Sequence, residues 1–218
     1  MIYKEWLKIR WFLIGAAVAG LLVIAYMYMN TQRSITFGGA SSVWYNIMFL
    51  NRMFYKILKY IPLLIGLGIG VAQYFPETVN KRIKLTFHLP ILENKALLMM
   101  LGFGTASLLA TYLLHFVVFW LLSSSYFGYE ITNAALITIT PWFLAGLAAY
   151  FFVALIVLEP IWMYRIFYSF AAIAFVPLYL NSGMAGAYAP INIQLVLLTL
   201  LISVSMLFSA YRFRKGEM

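Results

Sequence analysis

Long apolar runs separated by short polar segments dominate this sequence. Six of the runs approach or exceed the roughly 20 residues that a helix needs to cross the hydrocarbon core of a membrane. These runs lie at 12–29, 57–75, 96–122, 134–158, 161–180 and 191–210. Only Glu159 and Pro160 separate the fourth run from the fifth, and proline suits the first turn of a new helix. The pattern predicts an all-α integral membrane protein with a single domain, a six-helix transmembrane bundle.

Two further segments are amphipathic and are predicted not to span the membrane. At 1–11, apolar residues recur at helical spacing with lysines between them, which fits a short helix lying in the interface. The segment 42–59 carries three cations on one helical face. Two alternatives are open for it, namely a second interfacial helix or an extension of the helix at 57–75.

The composition agrees with a lipid environment. Of 218 residues, 65% are hydrophobic and 10% are charged, and the mean hydropathy is +0.92. Soluble domains keep about a quarter of their residues charged. The chain has no cysteine, which excludes disulfides and thiolate metal sites, and all of its acidic residues are glutamates.

The basic residues indicate an orientation. The net charge is +9, but the cations flank apolar runs, where they contact lipid headgroups, so nucleic-acid binding is not expected. Lysine and arginine are enriched in cytoplasmic segments. With both termini inside, the inner side holds Lys4, Lys8, Arg10, Lys81, Arg82, Lys84, Lys95, Arg165, Arg212, Arg214 and Lys215, and the outer side holds four cations. Both termini are therefore predicted to be cytoplasmic.

The polar stretch at 76–90 is the most distinctive part of the sequence. Pro76 and Pro90 enclose an amphipathic pattern, and Glu77 would lie in the favourable first turn of a helix. One interpretation is a solvated basic loop that only sets the topology. The other is a docking helix of about three turns. So short a helix is marginal in water by itself, so a stable one here would need a surface to pack against.

This stretch resembles a known region of membrane transporters. The order of Glu77, Leu85, the Leu89-Pro90 pair and Lys95 is similar to the segment between the second and third spans of type-2, exporter-type permeases of ATP-binding-cassette transporters. The amphipathic start, the six spans and the cytoplasmic termini agree with that family. Many members carry a Gly-Thr pair where this chain has Lys81 and Arg82.

The resemblance implies a subunit of a larger machine in the bacterial inner membrane. Two permease subunits, identical or paralogous, would form the pathway, and each would seat a coupling helix at 76–90 on one of two ABC-type ATPase subunits. ATP and magnesium would bind those partners, because this chain has no phosphate-binding loop of the G-x-x-x-x-G-K-[ST] type. The residues assigned to ATPase coupling are Glu77, Lys81, Arg82, Lys84, Leu85, His88, Leu89 and Pro90.

Other candidate residues lie inside the predicted spans. Gly66 and Gly70 have the spacing that lets helices approach closely in lipid, either within the bundle or in a dimer. Gln73 and His115 are candidate pathway residues because polar groups at membrane depth are often functional. The alternative for each is a hydrogen bond to a neighbouring helix. No metal site is predicted.

Three classes of function are compatible with these features. The first is a permease subunit that exports a hydrophobic or amphipathic substrate, driven by a separate ATPase. The second is a membrane scaffold, assembly factor or immunity protein that transports nothing. An intramembrane enzyme is the weakest, because aspartate, cysteine and clustered histidine or glutamate are missing from the sequence.

Overall fold

Helices make up almost all of the structure. The computed structural model describes residues 2–79 and 93–214, as backbone only at 79, 93–94 and 206–214. The helices are α1 (Ile2–Gly38), α2 (Ala40–Met48), α3 (Ile61–Val79), α4 (Glu93–Tyr126), α5 (Tyr129–Leu158), α6 (Trp162–Leu180) and α7 (Asn192–Arg214), and a 3-10 helix, Lys56–Tyr60, leads into α3. Across this described part there is no strand.

The predicted all-α membrane fold is confirmed, whereas the count of six spans is not. Within the described residues, α1, α3 with its preceding 3-10 helix, α4, α5 and α6 are long and apolar enough to cross a membrane. The predicted sixth span corresponds to α7, in which the residues described with side chains, Asn192–Ser205, form a shorter apolar helix.

Helix α5 is the centre of the bundle. In its most apolar stretch of 18 residues, 83% of the positions are buried inside the protein, against 11% for α6. It contacts α3, α6 and α7, and its Trp142 and Tyr150 are fully buried. The surrounding helices turn apolar side chains outward, as expected where lipid is the solvent.

Gly66 and Gly70 both pack against α5 within this chain. A methyl group at Gly66 would overlap the backbone of Gly146, and one at Gly70 would touch Val153. The absence of side chains therefore sets how closely α3 approaches α5, as small residues do at helix interfaces in membranes.

The separate interfacial helix predicted at 1–11 is not found. Instead α1 is continuous for 37 residues, about 55 Å at about 1.5 Å per residue, which exceeds a hydrocarbon core of about 30 Å. Its first turns are held by the bundle, because Glu5 and Ile9 are buried there. Residues 2–11 are therefore the first turns of α1 and not a separate helix.

The segment 42–59 is not an extension of the next span. Helix α1 ends before Gly39, whose φ of 79° favours glycine, and α2 follows. A link containing Asn51, with φ 50°, then separates α2 from the 3-10 helix. Of the two alternatives, a continuous helix over 42–75 is therefore wrong.

The sequence predicted that a new helix begins at Pro76, and this prediction is wrong. Pro76 lies inside α3, which continues to Val79, so Glu77 belongs to the last turn of α3. The proline removes one backbone hydrogen bond, but Thr78 Oγ1 donates to the Val157 carbonyl at 3.3 Å and ties this turn to α5. The rest of the predicted helix at 76–90 lies outside the described residues.

Candidate functional site

A buried group of charges joins the beginning of α1 to the end of α3. The Glu77 carboxylate is fully buried, and its Oε1 lies 2.6 Å from Lys8 Nζ and 2.9 Å from Lys4 Nζ. The Lys8 side chain is 11% exposed, whereas that of Lys4 is 43% exposed. The ion pair of Glu77 with Lys8 is therefore shielded from solvent far more than the pair of Glu77 with Lys4.

A second carboxylate shares the same lysine. Lys8 Nζ donates to Glu5 Oε1 at 2.6 Å, and Glu5 is 3% exposed. Burying an ionised group is very costly unless it is paired, and two glutamates and two lysines balance here. Lys8 is the central residue because it contacts both carboxylates.

Gln73 extends this group into the middle of the bundle. Its Nε2 donates to Glu5 Oε2 at 3.1 Å and to the Met100 carbonyl of α4 at 2.8 Å. Its Oε1 accepts a hydrogen bond from the Tyr150 hydroxyl at 2.8 Å. The Tyr150 hydroxyl in turn lies 2.9 Å from the Tyr74 hydroxyl, which is left as the donor of that bond.

These residues form one connected unit, which we call the polar cluster. Its members are Lys4, Glu5, Lys8, Gln73, Tyr74, Glu77 and Tyr150. A glycine makes room for it, because a methyl group at Gly104 of α4 would overlap the Tyr150 hydroxyl and Gln73 Oε1. The cluster links α1, α3, α4 and α5, and lysines neutralise its carboxylates. It therefore acts as a brace, a set of contacts that holds these helices together.

Comparisons with known proteins agree with the membrane character. No family model and no solved structure matches the chain. A stretch of 85 residues is 33% identical to the UPF0761 membrane protein of Pasteurella multocida (strain Pm70), covering 36% of this chain and 25% of that protein. The chain is a multi-pass membrane protein. The match spans a quarter of the relative's length, so it carries no statement about activity.

The structure places the two candidate pathway residues differently. Gln73 belongs to the polar cluster, fully buried and hydrogen-bonded by both its amide nitrogen and its oxygen. His115 is outside the cluster, buried in α4 with Nε2 3.1 Å from the Ala17 carbonyl oxygen of α1. Its imidazole occupies the space that a side chain at Gly20 would fill. Both side chains thus hold neighbouring helices together.

Of the residues assigned to ATPase coupling, Glu77 is the member that the structure describes. Lys81, Arg82, Lys84, Leu85, His88, Leu89 and Pro90 lie outside the described residues. In the described ranges, no group of three or more histidine, cysteine, aspartate or glutamate side chains is placed to hold a metal ion.

Sequence reasoning missed most of the polar cluster. Glu5 and Lys8 are spaced three residues apart on α1, and that spacing could have indicated an ion pair. Nothing local distinguishes Tyr74 or Tyr150 from the other 14 tyrosines, because their pairing depends on how α3 and α5 pack.

Tyr150→Phe tests whether the hydroxyl network is needed. The change keeps the ring and leaves Gln73 Oε1 without its donor, so we expect the free energy of unfolding in detergent to fall by about 1–3 kcal/mol. Tyr129→Phe is the matched control, because Tyr129 is 81% exposed and its variant should stay within about 0.5 kcal/mol of wild type. Equal stabilities for the two variants would show that the network contributes nothing.

Proposed function

We propose that this protein is the permease subunit of an ATP-binding-cassette transporter in a bacterial inner membrane. In this proposal it has six spans and cytoplasmic termini and forms part of an export pathway for a hydrophobic or amphipathic substrate. The observation that supports it best is the ion pair between Glu77 and Lys8, which fastens α1 to α3 directly before the chain enters 80–92.

The pair gives that segment a mechanical connection to the bundle. Residues 80–92 join α3 to α4, so a push on them reaches both helices directly. Through Glu77 and Lys8 the same push also reaches α1, because a buried ion pair resists separation. Force from a bound ATPase would therefore move three helices together.

The partners follow from the same proposal. Two permease subunits, either copies or paralogues, would face each other, and two ATPase subunits would bind ATP and magnesium and carry out the hydrolysis. In each permease, the charged docking contacts would be Lys81, Arg82 and Lys84. Glu77 would connect the segment that carries them to α1.

A second candidate is a scaffold, assembly or immunity protein that transports nothing. The polar cluster supports this candidate because its buried groups form hydrogen bonds with one another inside the bundle. A protein that does not move also needs its buried polar groups to be hydrogen-bonded. The composition of the purified complex separates the two candidates.

Charge reversal of the docking contacts tests the proposal. We expect an affinity-tagged protein in mild detergent to retain an ABC-type ATPase, identified by mass spectrometry. Lys81→Glu, Arg82→Glu and Lys84→Glu together should lower that retention more than about tenfold, because juxtaposed like charges cost several kcal/mol. The matched control reverses Arg52, Lys56 and Lys59, which lie in the link and 3-10 helix before α3.

Two results would contradict this proposal. The triple variant at 81–84 could keep both the ATPase and transport, which would remove the coupling role. Alternatively, the wild-type complex could contain no nucleotide hydrolase, which would leave the scaffold as the better description.

A further inference from the structure

A mainly apolar groove opens between the end of α3, the end of α5 and the first half of α6. Its volume is about 520 Å³, within the range of about 300–1,000 Å³ that small-molecule sites occupy. Its apolar lining includes Phe75, Val157, Ile166, Phe170 and Ile173. Such a groove on a membrane helix bundle has the shape and polarity to hold a hydrocarbon chain.

Arg165 is a cation in this apolar lining. Its Nε donates to the Glu159 carbonyl at 2.6 Å, and its guanidinium carbon lies 5.6 Å from the centre of the Trp162 ring. These two contacts hold the guanidinium beside the turn between α5 and α6, where Arg165 lines the groove. Within the described residues it forms no ion pair with a carboxylate.

The two hydroxyl groups of the lining are occupied by the protein. Thr78 Oγ1 donates to backbone carbonyls, including that of Val157, and Ser169 Oγ donates to the Arg165 carbonyl at 2.8 Å. A guanidinium has five N–H donors, and Nε accounts for one of them. The guanidinium is therefore the group of the lining that is equipped to bind an anion.

We propose that this groove binds an anionic phospholipid of the surrounding membrane. The phosphate would bind the Arg165 guanidinium, which matches phosphate oxygens in a bidentate geometry, and one acyl chain would lie along Ile166, Phe170 and Ile173. Trp162 is 74% exposed beside Arg165, as a residue at headgroup depth is. Neither the ATPase nor transport is required for this binding.

The arrangement favours a lipid over a free anion. A soluble phosphate would gain nothing from the apolar part of the groove, whereas a lipid uses both parts at once. The position also fits, because Arg165 lies in the first turn of α6, at the end of a candidate span. Backbone N–H groups at the start of that helix add positive potential beside the guanidinium.

Native mass spectrometry of the detergent-purified protein tests the proposal. The protein is given equal amounts of phosphatidylglycerol and phosphatidylcholine with identical acyl chains, and the bound lipid is counted. We expect wild type to retain phosphatidylglycerol preferentially. Arg165→Gln should lower its retention about fivefold, the effect of one cation near a lipid surface, and should lower that of phosphatidylcholine less, because the choline cation opposes the charge of its phosphate. Arg52→Gln, the matched control on an exposed arginine, should behave as wild type.

Two more variants keep the test decisive if Arg165→Gln fails to fold. Arg165→Lys should keep part of the preference, because lysine retains the charge but not the bidentate geometry. Ile173→Trp should fill the apolar part and lower the retention of both lipids. The proposal is overturned if wild type shows no preference, if folded Arg165→Gln retains as much phosphatidylglycerol as wild type, or if millimolar inorganic phosphate removes the lipid preference while Ile173→Trp has no effect.

Discussion

Lys8→Gln is expected to destabilise the protein much more than Lys4→Gln, although both lysines contact Glu77. Removing Lys8 leaves two buried carboxylates, Glu5 and Glu77, and the half-exposed ammonium of Lys4, which contacts Glu77. Breaking a buried ion pair costs about 3–5 kcal/mol, whereas a pair with an exposed partner contributes about 0–1 kcal/mol. The measurement is the free energy of unfolding in detergent micelles, by chemical denaturation of each variant.

The double variant Lys8→Gln with Glu77→Gln gives the internal control. It removes one of the two carboxylates that Lys8→Gln leaves without their shared lysine, so it should recover part of the lost stability. A thermodynamic cycle over the two positions should give a coupling of about 1–3 kcal/mol, as residues in one ion-pair network show. Additive effects, or equal losses at Lys4 and Lys8, would rule out the polar cluster as a brace.

Gly66→Ala is expected to weaken the contact between α3 and α5. The new methyl group would overlap the carbonyl group of Gly146, which is backbone and cannot rotate away. Overpacking of this kind typically costs about 1–3 kcal/mol, and a clash with backbone belongs at the upper end. These two helices share the most extensive contact among the described elements, so we expect a clear drop in the temperature of unfolding.

Gly68→Ala is the matched control two positions along the same helix. A methyl group at Gly68 meets no atom within 4 Å, so this change should be neutral or should stabilise α3 by up to about 1 kcal/mol through its higher helix propensity. If Gly66→Ala and Gly68→Ala unfold at the same temperature, the close approach of α3 to α5 at Gly66 does not contribute to stability.

The boundaries of the helices show what hydropathy predicts well. The run at 134–158 corresponds to α5, Tyr129–Leu158, and the break at Glu159 and Pro160 is where α5 ends and α6 soon begins. The same signals failed at Pro76, because its local preference for a helix start was outweighed by contacts of Glu77 and Thr78 with other helices.

The polar cluster shows why side-chain partners were harder to predict. The sequence marked Glu77 and Gln73 as unusual, the first by resemblance and the second by its depth in a span. Their partners lie elsewhere, since Glu5 is 68 positions from Gln73 in the chain. A partner at that distance is chosen by the rotation and register of whole helices.

Hydropathy along the chain was enough to predict helices in lipid and the approximate bounds of most of them, because insertion of an apolar run depends mainly on its length and composition. The contacts of Lys8 with Glu77 and of Gln73 with Tyr150, and the position of Arg165 beside an apolar groove, follow instead from how the helices pack. In lipid, hydropathy does not distinguish one apolar helix face from another, so close contacts such as Gly66 on Gly146 set the register that brings polar groups together.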